Sequence, residues 1–333
     1  MALSRNHALS WTRSVGNSGA KGNEMIEFII GAAWLAGISG TPVGAVAQAQ
    51  SPRGAATARQ APPSPDDPLT KPMALENARK WLVPVPPEKI FGTSYLVGFG
   101  GLSVALIDTG AGLILIDGAL PQAASAILAN VRTLGFDPKD IRLILSTEPH
   151  YDHGGGLAAL ARDTGATVVA SDRGADGLRA GANTKDDPQF SYGGNWPRVT
   201  RIRVVKHGEV IRLGRTAITA HATPGHTMGS MSWSWQACEA NACKAVVFAS
   251  SLNPVSADDY RYTAPSSAPI LRGFRASYQR LDRLPCDILI AAHPDNAGNG
   301  RYNDKPGACR AYAERSRRLL TKRLASERDD AAK

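Results

Sequence analysis

The chain has 333 residues, of which 43% are hydrophobic, so it is long enough to bury one large core or two small ones. Its formal charge is +9, and the terminal segment 310–333 contributes strongly, with eight basic residues against four acidic ones. This pattern indicates the solvated face of a helix. Basic residues interleaved with aromatic ones, which would favour nucleic-acid binding, do not occur.

An apolar stretch near the N-terminus is typical of an export signal. It runs from Ile26 to Ile38, and small residues follow it up to two alternative cleavage motifs, Ala45-Val46-Ala47 and Ala47-Gln48-Ala49. Met25 is an alternative start, and the stretch is too short to predict a membrane span. We therefore predict a periplasmic protein. Its expected parts are a leader over 1–49, a flexible Pro-, Ser- and Ala-rich lead-in over 50–70, a folded domain over 71–327 and a tail over 328–333.

Four cysteines allow three disulfide pairings. Cys238 and Cys243 flank a short polar loop, which favours a local disulfide between them. Cys286 and Cys309 would then join the last strand to the terminal helix, as suits an exported, oxidised protein. A thiolate metal site is the alternative, and only the pair Cys238 and Cys243 has a suitable spacing for it.

The first half of the folded region predicts strands around one long helix. Short apolar runs separated by Gly-rich turns indicate an antiparallel meander, and Pro121 begins a helical pattern that Gly135 ends. The predicted elements are strands at 95–97, 103–107 and 113–116, a helix at 121–135, a strand at 141–147, a helix at 156–163 and a strand at 167–170.

The second half begins with a polar, Gly-rich segment at 183–197, which predicts a mobile loop with aromatic anchors. Strands and helices then return in the order of the first half. Two such halves predict an α/β fold, an αβ/βα sandwich of two mixed β-sheets with helices on the outer faces. The predicted elements are strands at 202–205, 210–213 and 217–220, a hairpin of 232–235 with 245–249, a helix at 272–283, a strand at 288–292 and a helix at 306–327.

Candidate metal ligands follow three of the predicted strands. The hexapeptide Glu148-Pro149-His150-Tyr151-Asp152-His153 comes directly after the strand at 141–147, and His226 and His293 each follow a later strand. We expect one sheet edge to bring these three loci together. Imidazole and carboxylate suit zinc, so the sequence predicts a zinc centre.

Spacing divides the six ligands into two sets. In an extended loop, residues i and i+2 point the same way, so Glu148 and His150 are expected to share one zinc ion with His226. The remaining three ligands form a second set, which is expected to hold the other zinc ion. Each of the two zinc ions per chain would keep an open position for water, and a metal-bound hydroxide would be the nucleophile. The second set is Asp152, His153 and His293.

The ligand pattern resembles that of the metallo-β-lactamase fold superfamily, and most closely its subclass B3. Similarity extends from about Trp81 to Leu324 and includes Leu115-Ile116-Asp117-Gly118 and Thr223-Pro224-Gly225-His226-Thr227. The resemblance implies zinc-dependent hydrolysis of the β-lactam amide bond of penicillins, cephalosporins and carbapenems, and hence antibiotic resistance. Subclass B3 usually has histidine where Glu148 stands, so we expect a lower net charge and an altered zinc affinity at the first site.

The resemblance also implies roles for residues around the ligands. Asp152 would orient the nucleophile as well as bind metal, and Ser251 and Asn253 would contact the substrate carboxylate. Asp117 would support the metal loop from behind. Apart from the resemblance, we expect His221 to pack or hydrogen-bond beneath the site. Three aromatic residues are expected to flank the pocket, with packing inside their own loop as the alternative. These are Phe190, Tyr192 and Trp196.

Two other functions compete with this interpretation. A lactonase or thioesterase of the same fold would place a bridging aspartate after the strand at 245–249, where this chain has Ser250 and Ser251. A non-catalytic, exported metal-binding protein would not need the complete ligand set. The expected partner is a small β-lactam, with no nucleic acid, no stable membrane insertion after signal cleavage, and a monomeric chain.

Overall fold

A seven-stranded mixed sheet forms the first half of the fold. The computed structural model describes residues 66–298 and 300–331, so the predicted leader and most of the lead-in lie outside the described residues. The strands stand in chain order, antiparallel from β1 to β4 and parallel from β4 to β7. They are β1 (Glu88–Phe91), β2 (Ser94–Leu96), β3 (Ala105–Asp108), β4 (Leu113–Ile116), β5 (Ile141–Leu145), β6 (Thr167–Ala170) and β7 (Ile202–Val204).

A five-stranded sheet forms the second half, in the order β12-β11-β10-β9-β8. Only β11 and β12 run parallel, and the other neighbours are antiparallel. The predicted hairpin is confirmed, and it is longer than predicted. The strands are β8 (Val210–Leu213), β9 (Thr216–Ala222), β10 (Met231–Glu239), β11 (Ala242–Ala249) and β12 (Ile288–Ala291).

Within the described part of the chain, seven α-helices connect and cover the sheets. Gly165 ends α4 in the left-handed conformation, at φ 82°, which glycine adopts without a steric penalty. Ser171 caps α5 by accepting a hydrogen bond from the amide of Gly174. None of the helices in the described ranges has the length and hydropathy of a bilayer-spanning segment. The helices are α1 (Leu75–Trp81), α2 (Ala124–Thr133), α3 (Tyr151–Gly154), α4 (Leu157–Thr164), α5 (Asp172–Ala180), α6 (Ala268–Arg283) and α7 (Ala308–Ala331).

Three apolar clusters hold the layers together, and they confirm the predicted sandwich. The first lies between the first sheet and helices α2 and α4, the second between the two sheets, and the third between the second sheet and helices α6 and α7. All four residues of β4 are buried, because helices cover one face of this strand and the second sheet covers the other. The core thus fixes the neighbouring strand β5, whose C-terminal end begins the ligand-rich hexapeptide.

Both predicted disulfides are confirmed. Cys238 and Cys243 face each other across the β10–β11 hairpin, and Cys286 and Cys309 join the segment before β12 to helix α7. All four thiols are therefore oxidised, and the alternative of a thiolate metal site is wrong.

Several elements differ from the sequence predictions. Helix α1 and strand β1 were not predicted, because α1 has no buried residue and gives no clear apolar face. Helix α5 was not predicted either, since Gly174 and Gly177 interrupt its pattern. Helix α6 begins at Ala268 rather than near 272, with a proline in its first turn. Helix α7 continues to Ala331 instead of ending at 327.

Candidate metal centre

The hexapeptide changes conformation in its middle. Strand β5 ends at Leu145, His150 is still extended at φ −79° and ψ 155°, and helix α3 begins at Tyr151. Glu148 and His150 thus lie on the extended part, whereas Asp152 and His153 lie on a helical turn. The turn separates the two pairs of side chains, which gives a physical basis for two distinct ligand sets.

The structure brings all six predicted ligands to one place. One donor atom from each member of a set lies within 4.8 Å of the others in that set. The last two ligands arrive on the segments that follow β9 and β12. Five of the six side chains are buried, and the sixth is partly buried. The first set is Glu148, His150 and His226, and the second is Asp152, His153 and His293.

The two sets are adjacent. The Nε2 atom of His153 lies 3.2 Å from Nε2 of His293 and 3.1 Å from Oε1 of Glu148, which belongs to the first set. In the second set, Nε2 of His293 lies 3.3 Å from Oδ2 of Asp152. Imidazole nitrogens and carboxylate oxygens thus face one another across a small buried volume, as the ligands of a dinuclear centre do.

Each histidine of the first set is held by its outer ring nitrogen, the one that faces away from the other ligands. The outer nitrogen is Nε2 in His150 and Nδ1 in His226, and the other ring nitrogen is the inner one. Nε2 of His150 lies 3.0 Å from Oδ2 of Asp187, and Nδ1 of His226 donates to the carbonyl oxygen of Asn253 at 2.8 Å. If both outer nitrogens donate, both inner nitrogens keep a free lone pair. The side-chain Nε2 of Gln189 lies 3.2 Å from the inner nitrogen of His226 and 3.4 Å from the inner nitrogen of His150. Such outer contacts orient imidazole rings for metal binding.

The histidines of the second set are held in the same way. Nδ1 of His153 lies 3.2 Å from Oδ2 of Asp117, and Nδ1 of His293 lies 3.2 Å from the carbonyl oxygen of Gly101. Asp117 also accepts hydrogen bonds from the amide and the hydroxyl of Thr147, at 2.7 and 2.6 Å. Its backbone is left-handed at φ 68°, an unfavourable conformation that these contacts hold in place. The prediction that Asp117 contacts the ligands agrees with this geometry.

The carboxylate of Glu148 has one satisfied oxygen and one unsatisfied oxygen. Oε2 accepts a hydrogen bond from the backbone amide of Ser251 at 3.0 Å. Oε1 is buried and accepts no hydrogen bond with acceptable geometry, although Nε2 of His153 lies nearby. A buried carboxylate oxygen that accepts no hydrogen bond costs free energy, and a cation bound by the first set would remove that cost. The donor atoms therefore fit a metal ion.

Electrostatics keep both acidic ligands ionised. Burial alone would raise the pKa of Asp152, but the nearby imidazoles of His153 and His293 outweigh it and lower that pKa far below the ordinary value. The same balance lowers the pKa of Glu148, chiefly through His153. Burial would lower the pKa of His153, yet the surrounding carboxylates raise it to about 10. Without metal, the centre therefore holds a protonated imidazole between ionised carboxylates.

A cavity of about 470 Å³ lies next to this centre and is lined by ligands of both sets. Its volume is sufficient for a small organic molecule. Asp152 and three of the four ligand histidines line it, so such a molecule would contact the ligands. Trp81 forms one wall, with its ring centroid 5.6 Å from that of His293 and 6.2 Å from that of Tyr151. The other lining residues are Asn77, Gln189, Tyr192, Asn253, Val255, Asp295 and Asn296.

The predicted substrate contacts lie in different places. Asn253 lines the cavity, but Ser251 does not; its amide instead bonds Glu148, and its hydroxyl is buried. Of the three aromatic residues, only Tyr192 lines the cavity. Phe190 is exposed, and Trp196 is buried with its ring 6.4 Å from that of Tyr151. The predicted contacts of Ser251, Phe190 and Trp196 with the substrate pocket are therefore corrected.

The predicted role of His221 is also corrected. Its Nε2 hydrogen-bonds the hydroxyl of Ser234 at 2.7 Å, and its ring faces that of His207 with centroids 6.1 Å apart. It lines a separate cavity together with Arg280. The prediction that it packs or hydrogen-bonds beneath the metal site is wrong, because the side chain of this β9 residue points to the face covered by α6.

Asp187, Gln189 and Trp81 are the residues of the centre that the sequence did not reveal. The first two lie in the irregular loop after α5, where no periodicity tells which polar side chain turns inward. Trp81 ends helix α1, which has no buried residue. Two adjacent acidic residues, Asp186 and Asp187, stand before Pro188, and nothing in the sequence tells which of them turns inward.

Comparison with solved structures gives strong similarity over the folded region. A B3 metallo-β-lactamase described as the first with an active-site glutamic acid is 77% identical, with a TM-score of 0.78 over 79% of this chain and 99% of that chain. A subclass B3 metallo-β-lactamase from a soil metagenome library is 40% identical, with a TM-score of 0.71 over 75% of this chain and 99% of that chain.

Sequence comparison gives a broader relationship. A hydroxyacylglutathione hydrolase of Anaeromyxobacter dehalogenans is 33% identical over 131 residues, which are 39% of this chain and 41% of that protein. The chain spans half or less of the length of the curated relatives that it matches. The family profile of the metallo-beta-lactamase superfamily matches residues 89–239. Because a protein 77% identical over 99% of its length is a B3 enzyme, the chain belongs to the subclass B3 metallo-β-lactamases, a group of hydrolases.

Proposed function

We propose that this protein hydrolyses the amide bond of β-lactam antibiotics with two zinc ions per chain. One observation carries the proposal: two sets of three donor atoms lie side by side at the bottom of a cavity of about 470 Å³. Three protein ligands per ion leave a position for water, which is typical of catalytic rather than structural zinc. Penicillins, cephalosporins and carbapenems are the proposed substrates, and antibiotic resistance is the proposed consequence.

The first ion would be held by Glu148, His150 and His226, and the second by Asp152, His153 and His293. Bound zinc ions would supply the chemistry, because they lower the pKa of water to about 7 and polarise carbonyl oxygens. The protein supplies the orientation. Asp187 and the carbonyl of Asn253 hold the outer nitrogens of the first pair of histidines at 3.0 and 2.8 Å.

Asp152 is the proposed hydrogen-bond acceptor that orients the nucleophile. Its carboxylate lines the cavity, and its pKa is lowered despite burial, so it remains ionised at neutral pH. An ionised carboxylate accepts a hydrogen bond from the attacking water and directs a lone pair of that water towards the scissile carbonyl. Binding the second ion and orienting the nucleophile are compatible roles, because a carboxylate has two oxygens.

The walls of the cavity suit a small bicyclic amide. Trp81, Tyr151 and Tyr192 offer aromatic faces, whereas Gln189 and Asn253 offer amide groups. Apolar faces bind the fused rings through burial, and amide donors bind carboxylate or carbonyl oxygens of the substrate. We propose that Asn253 contacts the substrate carboxylate. Asn253 lines the cavity, and its side-chain Nδ2 is the donor that a carboxylate oxygen requires.

Glu148 is proposed to lower the charge of the first site. Where a neutral imidazole is usual in subclass B3, this carboxylate cancels one positive charge of the bound ion. Attraction between opposite charges at close range should retain the ion more firmly, but the same cancellation should weaken polarisation of the substrate carbonyl. We therefore propose an enzyme with a lower turnover rate than one with histidine in this position.

A thioesterase of the hydroxyacylglutathione hydrolase type is the second candidate, favoured by the curated relative that is 33% identical. The two candidates separate in one assay. We expect purified protein with zinc to open the ring of nitrocefin and not to hydrolyse S-lactoylglutathione. Hydrolysis of the thioester without any β-lactam turnover would reverse the assignment. Loss of nitrocefin turnover with a chelator and its return with zinc would establish the metal requirement.

We also propose that the protein acts in the periplasm as a monomer. Two disulfides within one chain support an oxidising compartment. The export signal on which this proposal depends lies outside the described residues. Fractionation of cells into periplasm and cytoplasm, followed by light scattering of the purified protein, tests both parts.

A further inference from the structure

A second cavity, of about 340 Å³, lies between helix α6 and the segment around β9. Its notable feature is positive charge. Two arginines and two histidines line it, and no acidic residue does. The lining residues are His207, His221, Ala276, Gln279, Arg280, Arg283 and Leu284.

His221 forms the buried end of this cavity. This residue lies on strand β9 and is only 8% exposed. One ring nitrogen is engaged with Ser234 at 2.7 Å, and the ring of His207 lies 6.1 Å away. Burial, His207 and Arg280 together lower the pKa of His221 to about 4, so it is neutral at physiological pH when the cavity holds no counter-charge.

The neighbouring carboxylates do not neutralise this cluster. Glu209 follows His207 closely in the chain, but it pairs with Arg203 at 2.9 Å. Asp282 precedes Arg283, but it pairs with Arg310 at 3.1 Å. The ionisable groups that act on His221 are therefore the imidazole of His207 and the guanidinium of Arg280. Such an arrangement repels metal cations and attracts anions.

Arg280 is fixed in the wall of the cavity. Its guanidinium donates to the carbonyl oxygen of Ala222, the last residue of β9, which leaves further N–H donors of the same group for a ligand. Arg283, one helical turn later on α6, has no ion pair among the described residues. Arginine donors and imidazoles around one cavity match the oxygens of a phosphate group.

We propose that this cavity, between α6 and β9, is a binding site for a phosphate group, separate from the metal centre. The guanidinium groups of Arg280 and Arg283 bind the phosphate oxygens, and His221 closes the buried end. The phosphate is either inorganic or part of a small phosphate monoester, since both present the same oxygens. Binding brings a dianion next to His221 and therefore favours its protonated form.

The test uses the full-length, zinc-loaded protein and NMR of the His221 imidazole, identified by its loss in His221→Gln. We expect titration with inorganic phosphate to shift this signal saturably at pH 7 and to raise the pKa of His221. Sodium chloride at the same ionic strength should not do so, because it only screens charge. Glycerol phosphate, titrated in parallel, separates the two sources: tighter binding than inorganic phosphate identifies a monoester.

Arg283→Ala provides the matched comparison, because this exposed side chain can be removed without disturbing the core. We expect it to weaken phosphate binding about tenfold or more, as the loss of a charged hydrogen bond does. Arg272→Ala, an exposed arginine on the same helix that does not line the cavity, should bind as the wild type does. Absence of a saturable shift in the wild type overturns the proposal. A difference in phosphate affinity of less than about tenfold between the two variants also overturns it, because the attraction would then come from general surface charge.

Discussion

The backbone amide of Ser251 donates to Oε2 of Glu148 at 3.0 Å and so orients the one acidic ligand of the first set. The other oxygen, Oε1, consequently faces the imidazoles, 3.1 Å from Nε2 of His153 and 3.8 Å from Nε2 of His226. A segment that follows strand β11 thus positions a ligand that follows strand β5. This contact links the two sheets at the metal centre and explains how a glutamate is held among the histidines of the centre.

Replacing Glu148 with glutamine should weaken metal binding at the first site. The amide keeps the shape of the side chain but loses the negative charge that faces the ion, so we expect zinc affinity to fall at least about tenfold. Competition with a chromophoric chelator measures this affinity. Glu239→Gln, which changes an exposed carboxylate paired with Lys89, is the control and should leave zinc affinity unchanged. Equal affinities in all three proteins would remove Glu148 from the ligand set.

Replacing Asp187 with asparagine should loosen His150. Asp187 is buried and lies 3.0 Å from the outer nitrogen of that ring, and it raises the pKa of His150 against the effect of burial. Loss of such a contact typically reduces metal affinity about 10- to 100-fold. The adjacent Asp186 is exposed and pairs with Arg173, so Asp186→Asn is the matched control. If both variants bind zinc alike, Asp187 does not position the ligand.

Metal binding should release protons at neutral pH. The carboxylates around His153 raise its pKa to about 10, so the metal-free protein carries this ring protonated at pH 7. A metal ligand must be deprotonated, and the affinity for zinc should therefore rise with pH between 7 and the pKa of His153. Calorimetric titration in buffers of different ionisation enthalpy should give a release of about one proton or more per chain. A result of no net release would contradict the charge state that we assign to His153.

Replacing Trp81 with alanine should weaken substrate binding more than catalysis. Its ring lies against His293 and Tyr151 at the wall of the cavity, and it is not a ligand. We expect KM for β-lactams to rise several-fold, on the order of the loss of an aromatic contact, with a smaller change in kcat. Steady-state kinetics measure both constants. Leu75→Ala, an exposed change on the same helix, should leave both as they are. A fall in kcat alone would mean that Trp81 instead holds His293 in place.

The two disulfides should contribute unequally to stability. Cys286 and Cys309 close a loop with a sequence separation of 23, whereas Cys238 and Cys243 are separated by 5. Loop-closure entropy predicts losses of about 3 and about 2 kcal/mol in the free energy of unfolding when each pair is replaced by serine. Urea unfolding of the two double variants gives the comparison. A larger loss for the hairpin disulfide would show that native-state contacts, rather than chain entropy, dominate.

The sequence predicts the fold and the ligand loci well, because both depend on local and periodic signals. Strand β4 is a continuous apolar run, and His226 and His293 each stand one short segment after a strand. The division of the hexapeptide into two sets follows from residue spacing, although the spacing does not reveal the helical turn α3 that produces it.

The surroundings of the ligands were less predictable, because they depend on which loop residues turn inward. Asp187 and Gln189 lie in the same polar loop as Phe190 and Trp196. The aromatic residues gave the stronger sequence signal, yet the polar pair is the one that contacts the ligand histidines. His221 resembles a supporting residue in sequence, and only the direction of its side chain from β9 assigns it to another cavity.

The most direct test of the central claim is reconstitution of the metal-free protein. Zinc is added stepwise to protein stripped by a chelator, and nitrocefin hydrolysis and metal content are measured on the same samples. We predict that activity is absent without zinc, rises with added zinc, and reaches its plateau at about two ions per chain. Full activity in the metal-free protein, or full zinc occupancy without hydrolysis of any β-lactam, would contradict the account.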